Sequence, residues 1–182
     1  MAKKKTEKKV TDNISVEGLE GNIENGGTAV KKPAKKKTES KSKQKFLVIV
    51  ESPTKAKTIS GILGKDYDVT SSMGHIVDLP SSKLAVDVEH DFAPQYRTIA
   101  GKEKMITLLK SKAKGKEIVY LATDPDREGE AISWHIREKL AEIAKKFLRV
   151  TFHEITESAL KEAIEHPGDL DQKKINAQTA RR

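Results

Sequence analysis

Residues 118–130 read IVYLATDPDREGE, and the fold class turns on how this stretch divides. Its first five residues are apolar, as in a short strand covered on both faces. Pro125 keeps the start of the acidic segment out of a helix. From Arg127 onward Ala131, Ile132, Ile136, Leu140 and Ile143 recur at helical spacing, with acids early and lysines late to suit the helix dipole. The expectation is a buried strand, an acidic turn, and a helix over residues 127–146.

The same alternation runs through the neighbouring sequence. Residues 46–50, FLVIV, form a second continuous apolar run. Ser52-Pro53 follows as a side-chain cap and a proline at the first helical position, with Ala56, Ile59, Ile62 and Leu63 at helical spacing and Gly64 as the stop. Residues 67–71 suit a strand, 74–80 a loop, and the stretch to Pro94 shows no periodicity. A helix is expected over residues 102–113 and a strand over 149–152. Thr156 then caps a helix to Glu165, with Ile155 and Leu160 placed as a hydrophobic staple and Pro167-Gly168 closing it.

Alternating strands and helices over residues 45–155 predict a doubly wound α/β domain with a mostly parallel sheet flanked by helices. Ligands of such sheets bind at the carboxyl ends of the strands. Both acidic features of the chain fall there: Glu51 directly after residues 46–50, and Asp124, Asp126 and Glu128 after residues 118–122.

Charge is uneven. Residues 1–45 hold 13 of the 35 basic and six of the 27 acidic residues, so seven units of the net +8 charge lie there. Residues 1–44 are lysine-rich and lack aromatics, which predicts a disordered tail able to attract nucleic acid phosphates or merely to solubilise the chain. The absence of cysteine excludes disulfides, thiolate metal sites and cysteine nucleophiles. No apolar stretch approaches the roughly 20 residues of a membrane span, so a soluble, cytoplasmic protein with no membrane partner is expected.

Three carboxylates within five residues repel one another unless a cation neutralises them or some become protonated. Oxygen-only ligands of this kind suit Mg2+. The structural alternative is that one Asp caps the helix and the others favour its positive end. A calcium loop of the EF-hand type is excluded by His135 at its twelfth position. An Asp-x-Asp phosphatase of the haloacid dehalogenase type fits poorly, because Glu128 stands where that family has Thr or Val.

FLVIVE with Glu51, and ATDPDREGEAISWHI with Asp124, Asp126 and Glu128, resemble the two signature blocks of the Toprim fold shared by topoisomerases, primases and some nucleases. SPTKAKTI after Glu51, SSMGHIVDLP around His75, and INAQTARR at residues 175–182 further resemble bacterial type IA DNA topoisomerases of the topoisomerase I kind. The resemblance covers residues 45–182. It implies a Toprim domain over 45–155 and the beginning of an incomplete, helical DNA-binding domain over 156–182.

The resemblance also implies an isomerase. Such an enzyme relaxes negatively supercoiled DNA by cutting one strand in a single-stranded segment, linking it to a tyrosine, passing the other strand and religating, with Mg2+ and without ATP. By resemblance Glu51, Lys55 and Arg127 are catalytic, Glu51 moving the proton of the leaving oxygen and the two cations holding phosphate. Glu51, Asp124, Asp126 and Glu128 bind or adjoin the metal. DNA contact falls to His75, Arg149, Phe152, His153, Thr156, Lys161, Gly168, Asn176, Ala177, Gln178, Thr179, Ala180 and Arg181. The resemblance places the protein with the bacterial nucleoid, and a monomer is expected. The tyrosines are Tyr67, Tyr96 and Tyr120, whereas the family's nucleophile lies beyond Arg182, so the chain alone is expected to be inactive. A non-catalytic nucleic-acid-binding module and a Mg2+-dependent phosphatase stand as alternatives.

Overall fold

In the computed structural model the described residues are 44–82, 85–90 and 92–181. The expectation of a disordered tail lies outside them, apart from Gln44. In chain order the elements are β1 (Phe46–Val50), α1 (Pro53–Leu63), β2 (Tyr67–Ser71), β3 (Val77–Asp78), β4 (Val86–Asp87), β5 (Ala93–Pro94), β6 (Arg97–Thr98), α2 (Glu103–Ala113), β7 (Ile118–Leu121), α3 (Arg127–Leu140), β8 (Phe147–Arg149), α4 (Glu157–Glu165) and α5 (Gln172–Thr179).

Four strands make one sheet in the order β2-β1-β7-β8, all parallel. The chain leaves β1 toward β2 on one side and leaves β7 toward β8 on the other. The carboxyl ends of β1 and β7 therefore flank the switch point, where the crevice of such sheets opens.

Alternation along the strands sorts the core into two layers. Leu47, Ile49, Val119 and Leu121 pack with Leu109 of α2 and Ile132, Ile136 and Leu140 of α3. Val48, Val50 and Tyr120 face the other way, onto Ile59 of α1 and Leu160 of α4. Ile155 packs into that second layer with Leu160, as the staple requires. Both faces of the sheet are thus covered.

Three elements depart from expectation. α3 stops at Leu140 rather than near residue 146, because the backbone N–H groups of Ile143 and Ala144 both turn back to the Leu140 carbonyl, at 2.9 and 3.0 Å. β8 lies at Phe147–Arg149 rather than 149–152, since its ladder with β7 closes at the pair of Arg149 with Leu121, the last residue of β7, while Arg149 also pairs with Gly168. Val150 and Phe152 remain buried beyond it, against the α1 and α4 layer. Between β2 and α2, the segment without periodicity forms two short antiparallel pairs, β3 with β6 and β4 with β5.

Candidate metal and nucleic-acid site

Glu51 follows β1 directly, and Ser52 then caps α1 by accepting from the Lys55 backbone N–H at 3.5 Å. That cap sets Lys55 in the first helical turn. Its ammonium bridges the carboxylates of Glu51 and Asp124, one from each strand of the switch point. Burial alone would lower the Lys55 pKa, but the two carboxylates outweigh it and hold the ammonium above the ordinary lysine range. Both Glu51 oxygens are buried; Oε1 meets the Lys55 ammonium, and Oε2 has no hydrogen-bond partner among the described residues.

The three acids of the turn do not converge as their alternate spacing suggests, because α3 begins at Arg127 and the period of two ends there. Asp124 meets Lys55. Asp126 is the N-cap of α3 and accepts from the Gly129 N–H at 2.7 Å. Glu128, already helical and half exposed, pairs with His75 Nε2 at 2.9 Å and accepts from Gln178 Nε2 at 3.4 Å. Among the described residues no group of three or more His, Asp or Glu is gathered as a metal cage. The hard oxygen donors nevertheless fit Mg2+, since Glu51 and Asp124 already hold one cation, the Lys55 ammonium, between them and Glu51 Oε2 is buried without a hydrogen-bond partner.

Beneath the turn lies a polar network that the sequence did not announce. Arg149, expected to touch DNA, is only 3 % exposed. Its Nε donates to Glu130 Oε1 at 2.9 Å. Nη1 donates to the carbonyls of Leu121, Thr123 and Val150, and Nη2 to that of Asp124 at 2.7 Å. In this structure its guanidinium braces the acidic turn from inside. Thr123 Oγ1 donates to the Gly129 carbonyl at 2.7 Å and meets Ser133 Oγ at 2.8 Å. A β-carbon at Gly129 would stand 2.1 Å from the Asp124 carbonyl oxygen, so only glycine allows this approach. A charged residue and a serine on the buried face of α3 were the available signals.

α5 completes the turn. Capped by Asp171, it packs on α3, and Lys174 Nζ reaches the Pro125 carbonyl at 2.7 Å. Lys174 was not singled out from the sequence. Among the residues expected to contact DNA, Gln178 is buried against Glu128, Thr179 is half-buried and joined to the Tyr96 hydroxyl at 3.0 Å, and Asn176, Ala177, Ala180 and Arg181 are exposed. Phe152 is buried in the core, with its backbone beside exposed His153. It and exposed His153 line an open depression of about 480 Å3 with Glu162 and His166. Thr156 caps α4, exposed Lys161 pairs with Glu157, and Gly168 pairs with the backbone of Arg149. Arg127, exposed, opens α3 beside Asp126.

His135, whose place rules out a calcium loop, has a different setting in the fold. It is buried, ringed by Tyr96 and Trp134, and burial, with His75 and Lys139 nearby, pushes its pKa down to about 4 against the pull of Asp78. Trp134 is half-buried within this cluster. No helix of the described residues is long and apolar enough to cross a membrane.

Comparison with known proteins agrees with this geometry. The Toprim domain family matches residues 46–155. DNA topoisomerase 1 of Thermotoga maritima is 51 % identical over 140 residues, which are 77 % of this chain and 22 % of that protein. The enzyme of the same name from Campylobacter jejuni is 49 % identical over 140 residues, 76 % of this chain and 20 % of its own length. The structure of full-length topoisomerase I from Thermotoga maritima superposes with a TM-score of 0.69 at 51 % identity, covering 75 % of this chain and 23 % of that one. The chain thus spans about a fifth of the curated relatives it matches. With the parallel sheet, the acidic turn at its switch point and these likenesses together, the chain belongs to the Toprim family, in the branch represented by bacterial DNA topoisomerase I.

Proposed function

We propose that the chain is the amino-terminal, metal-binding portion of a type IA topoisomerase that relaxes negatively supercoiled DNA with Mg2+ and without ATP. The observation that carries this reading is the buried Glu51 carboxylate, which shares the Lys55 ammonium with Asp124 at the switch point. Residues 45–155 are the Toprim domain, and residues 156–182 begin a DNA-binding domain.

Glu51 is the group that gives a proton to the departing 3′-oxygen and takes it back on religation. Lys55 and Arg127 neutralise the phosphate beside the cut, Lys55 from the first turn of α1, where backbone donors also favour an anion. Asp124 and Asp126 would hold Mg2+, with Glu51 and Glu128 adjoining, and the ion would supply positive charge against the phosphates of the cut strand. His75 and the exposed face of α5 lie along the DNA, a single-stranded segment of the duplex. The protein works as a monomer in the bacterial cytoplasm, at the nucleoid.

The chain's own tyrosines are poor candidates for the nucleophile. Tyr67 pairs with Phe46 at the amino ends of the strands, and burial raises the pKa of both Tyr67 and Tyr120. The Tyr96 hydroxyl is engaged by Thr179. DNA cleavage therefore needs a tyrosine from outside this chain.

Calorimetric titration of Mg2+ into the parent and into Asp124→Asn combined with Asp126→Asn tests the metal site. Asparagine still caps a helix, so the variant should fold and bind no Mg2+. Undiminished binding would favour a nucleic-acid-binding module with structural acids, a reading to which the Asp126 cap and the Glu128–His75 pair would then belong.

A further inference from the structure

The loop between β2 and β3 carries a side chain that the chemistry above leaves unused. Met73 lies between Ser72, fully buried, and Gly74, yet is itself 54 % exposed. Its backbone is left-handed, with φ 56°, a conformation that residues bearing a β-carbon avoid.

Four hydrogen bonds hold it there. The N–H of Ser72 donates to the Val50 carbonyl and that of Gly74 to the Glu51 carbonyl, both at 2.8 Å. The Ser72 hydroxyl donates to the Gly74 carbonyl at 2.8 Å, and the Lys102 ammonium donates to the Met73 carbonyl itself at 2.6 Å. A glycine would satisfy the same bonds without strain, as Gly74 does at φ 82°. The backbone gives no reason for a thioether at this place.

Its surroundings do. The loop is tied to Glu51 through Gly74, and the Lys55 and Lys102 ammonium groups and the His75 imidazole lie on the segments that meet there. Single-stranded nucleic acid is held by cations tracking the phosphates together with side chains packed on base faces, most often aromatic, and apolar side chains including methionine also pack against bases. A methionine is flexible and polarisable enough to lie on any base. A protein partner would need a broad apolar face, whereas the other exposed large apolar side chains described, Val88, Phe92 and Leu108, belong to other segments.

We propose that Met73 is a base-contacting residue, packing its thioether on a nucleobase of single-stranded DNA seated at the carboxyl ends of β1 and β7. This rests on the DNA-binding reading above. The chain has three methionines, Met1, Met73 and Met105, so 13C-methyl labelling gives three resonances, with core-packed Met105 as an internal control.

A short oligothymidylate should move the Met73 methyl upfield, into the ring current of a base. An abasic strand of equal length, with the same phosphates, should leave it in place. Met73→Ser and Met73→Gly should each weaken oligothymidylate binding about five-fold, the low end of base stacking, and leave abasic binding unchanged. A Met73 methyl unmoved by oligothymidylate, or moved equally by both strands, overturns the proposal. If the Lys55 and His75 amides shift while the methyl stays, only the base contact is wrong; if none of them shifts, the DNA-binding reading falls as well.

Discussion

Replacing Gly129 by alanine sets two physical effects against each other with opposite signs. Gly129 lies in the first turn of α3, where helix propensity alone favours alanine by up to about 1 kcal/mol. Its missing side chain, however, is what lets α3 lie on the acidic turn: a β-carbon would meet the Asp124 carbonyl oxygen at 2.1 Å, its carbon at 2.9 Å and its nitrogen at 3.0 Å. The turn cannot simply retreat, because that carbonyl accepts from Arg149 Nη2 at 2.7 Å. Overpacking costs about 1–3 kcal/mol, and loss of a bond from a charged donor about 1.5–3 kcal/mol. A net destabilisation of about 3 kcal/mol is expected after the helical gain is set against them. Urea unfolding followed by far-ultraviolet circular dichroism reads it directly. A variant as stable as the parent, or more so, would refute the close-approach reasoning.

Other substitutions probe the same region. Glu130→Gln leaves the buried Arg149 guanidinium without its counter-charge and should lower stability by about 3 kcal/mol; adding Arg149→Met should recover part of that loss, and simple additivity in the unfolding energies would count against a coupled pair. His135 is neutral in the fold, with a pKa of about 4 against 6.5 unfolded. Its contribution is complete above pH 6.5 and is lost as pH falls toward 4, about 2 kcal/mol by pH 5. His135→Gln should therefore flatten the stability profile between pH 7 and 5, and profiles that run parallel would rule the effect out. Lys55→Met removes the cation between Glu51 and Asp124 and should tighten Mg2+ binding in calorimetry; weaker binding would mean that the lysine organises the carboxylates rather than competing for them.

The parts legible in the sequence are those governed by local rules. Ser52-Pro53 and Gly64 bound α1 as expected, and the apolar runs became β1 and β7. The rest depended on partners distant in sequence. Two-residue strands such as β3 leave no periodicity, and β3 exists because Val77 meets Thr98. α5 buries only Ile175 and Gln178, too little for an apolar stripe, and is specified by the Asp171 cap and its seat on α3. At the site, residue types and their position at strand ends could be read, but the direction of each carboxylate could not. Where α3 begins decides that Asp126 turns inward as a cap while Glu128 reaches His75. The burial of Arg149 was equally hidden, since an arginine at the end of a strand reads as a surface group until the carbonyls around it are seen.

The sheet order bears on how the chain is made as well as on what it binds. One edge of β1 is closed by β2, whose Tyr67 meets Phe46, but the other waits for β7, where Phe46 stands opposite Ile118. On a ribosome adding roughly 5–20 residues per second, that is an interval of about 4–14 seconds. Throughout it, a five-residue apolar strand with high β-propensity has an unpaired edge, the kind of segment that nascent chains pair wrongly. The 13 basic residues at positions 1–45 emerge immediately before it. Charged flanks of this kind are the usual guard on an apolar strand whose pairing must wait.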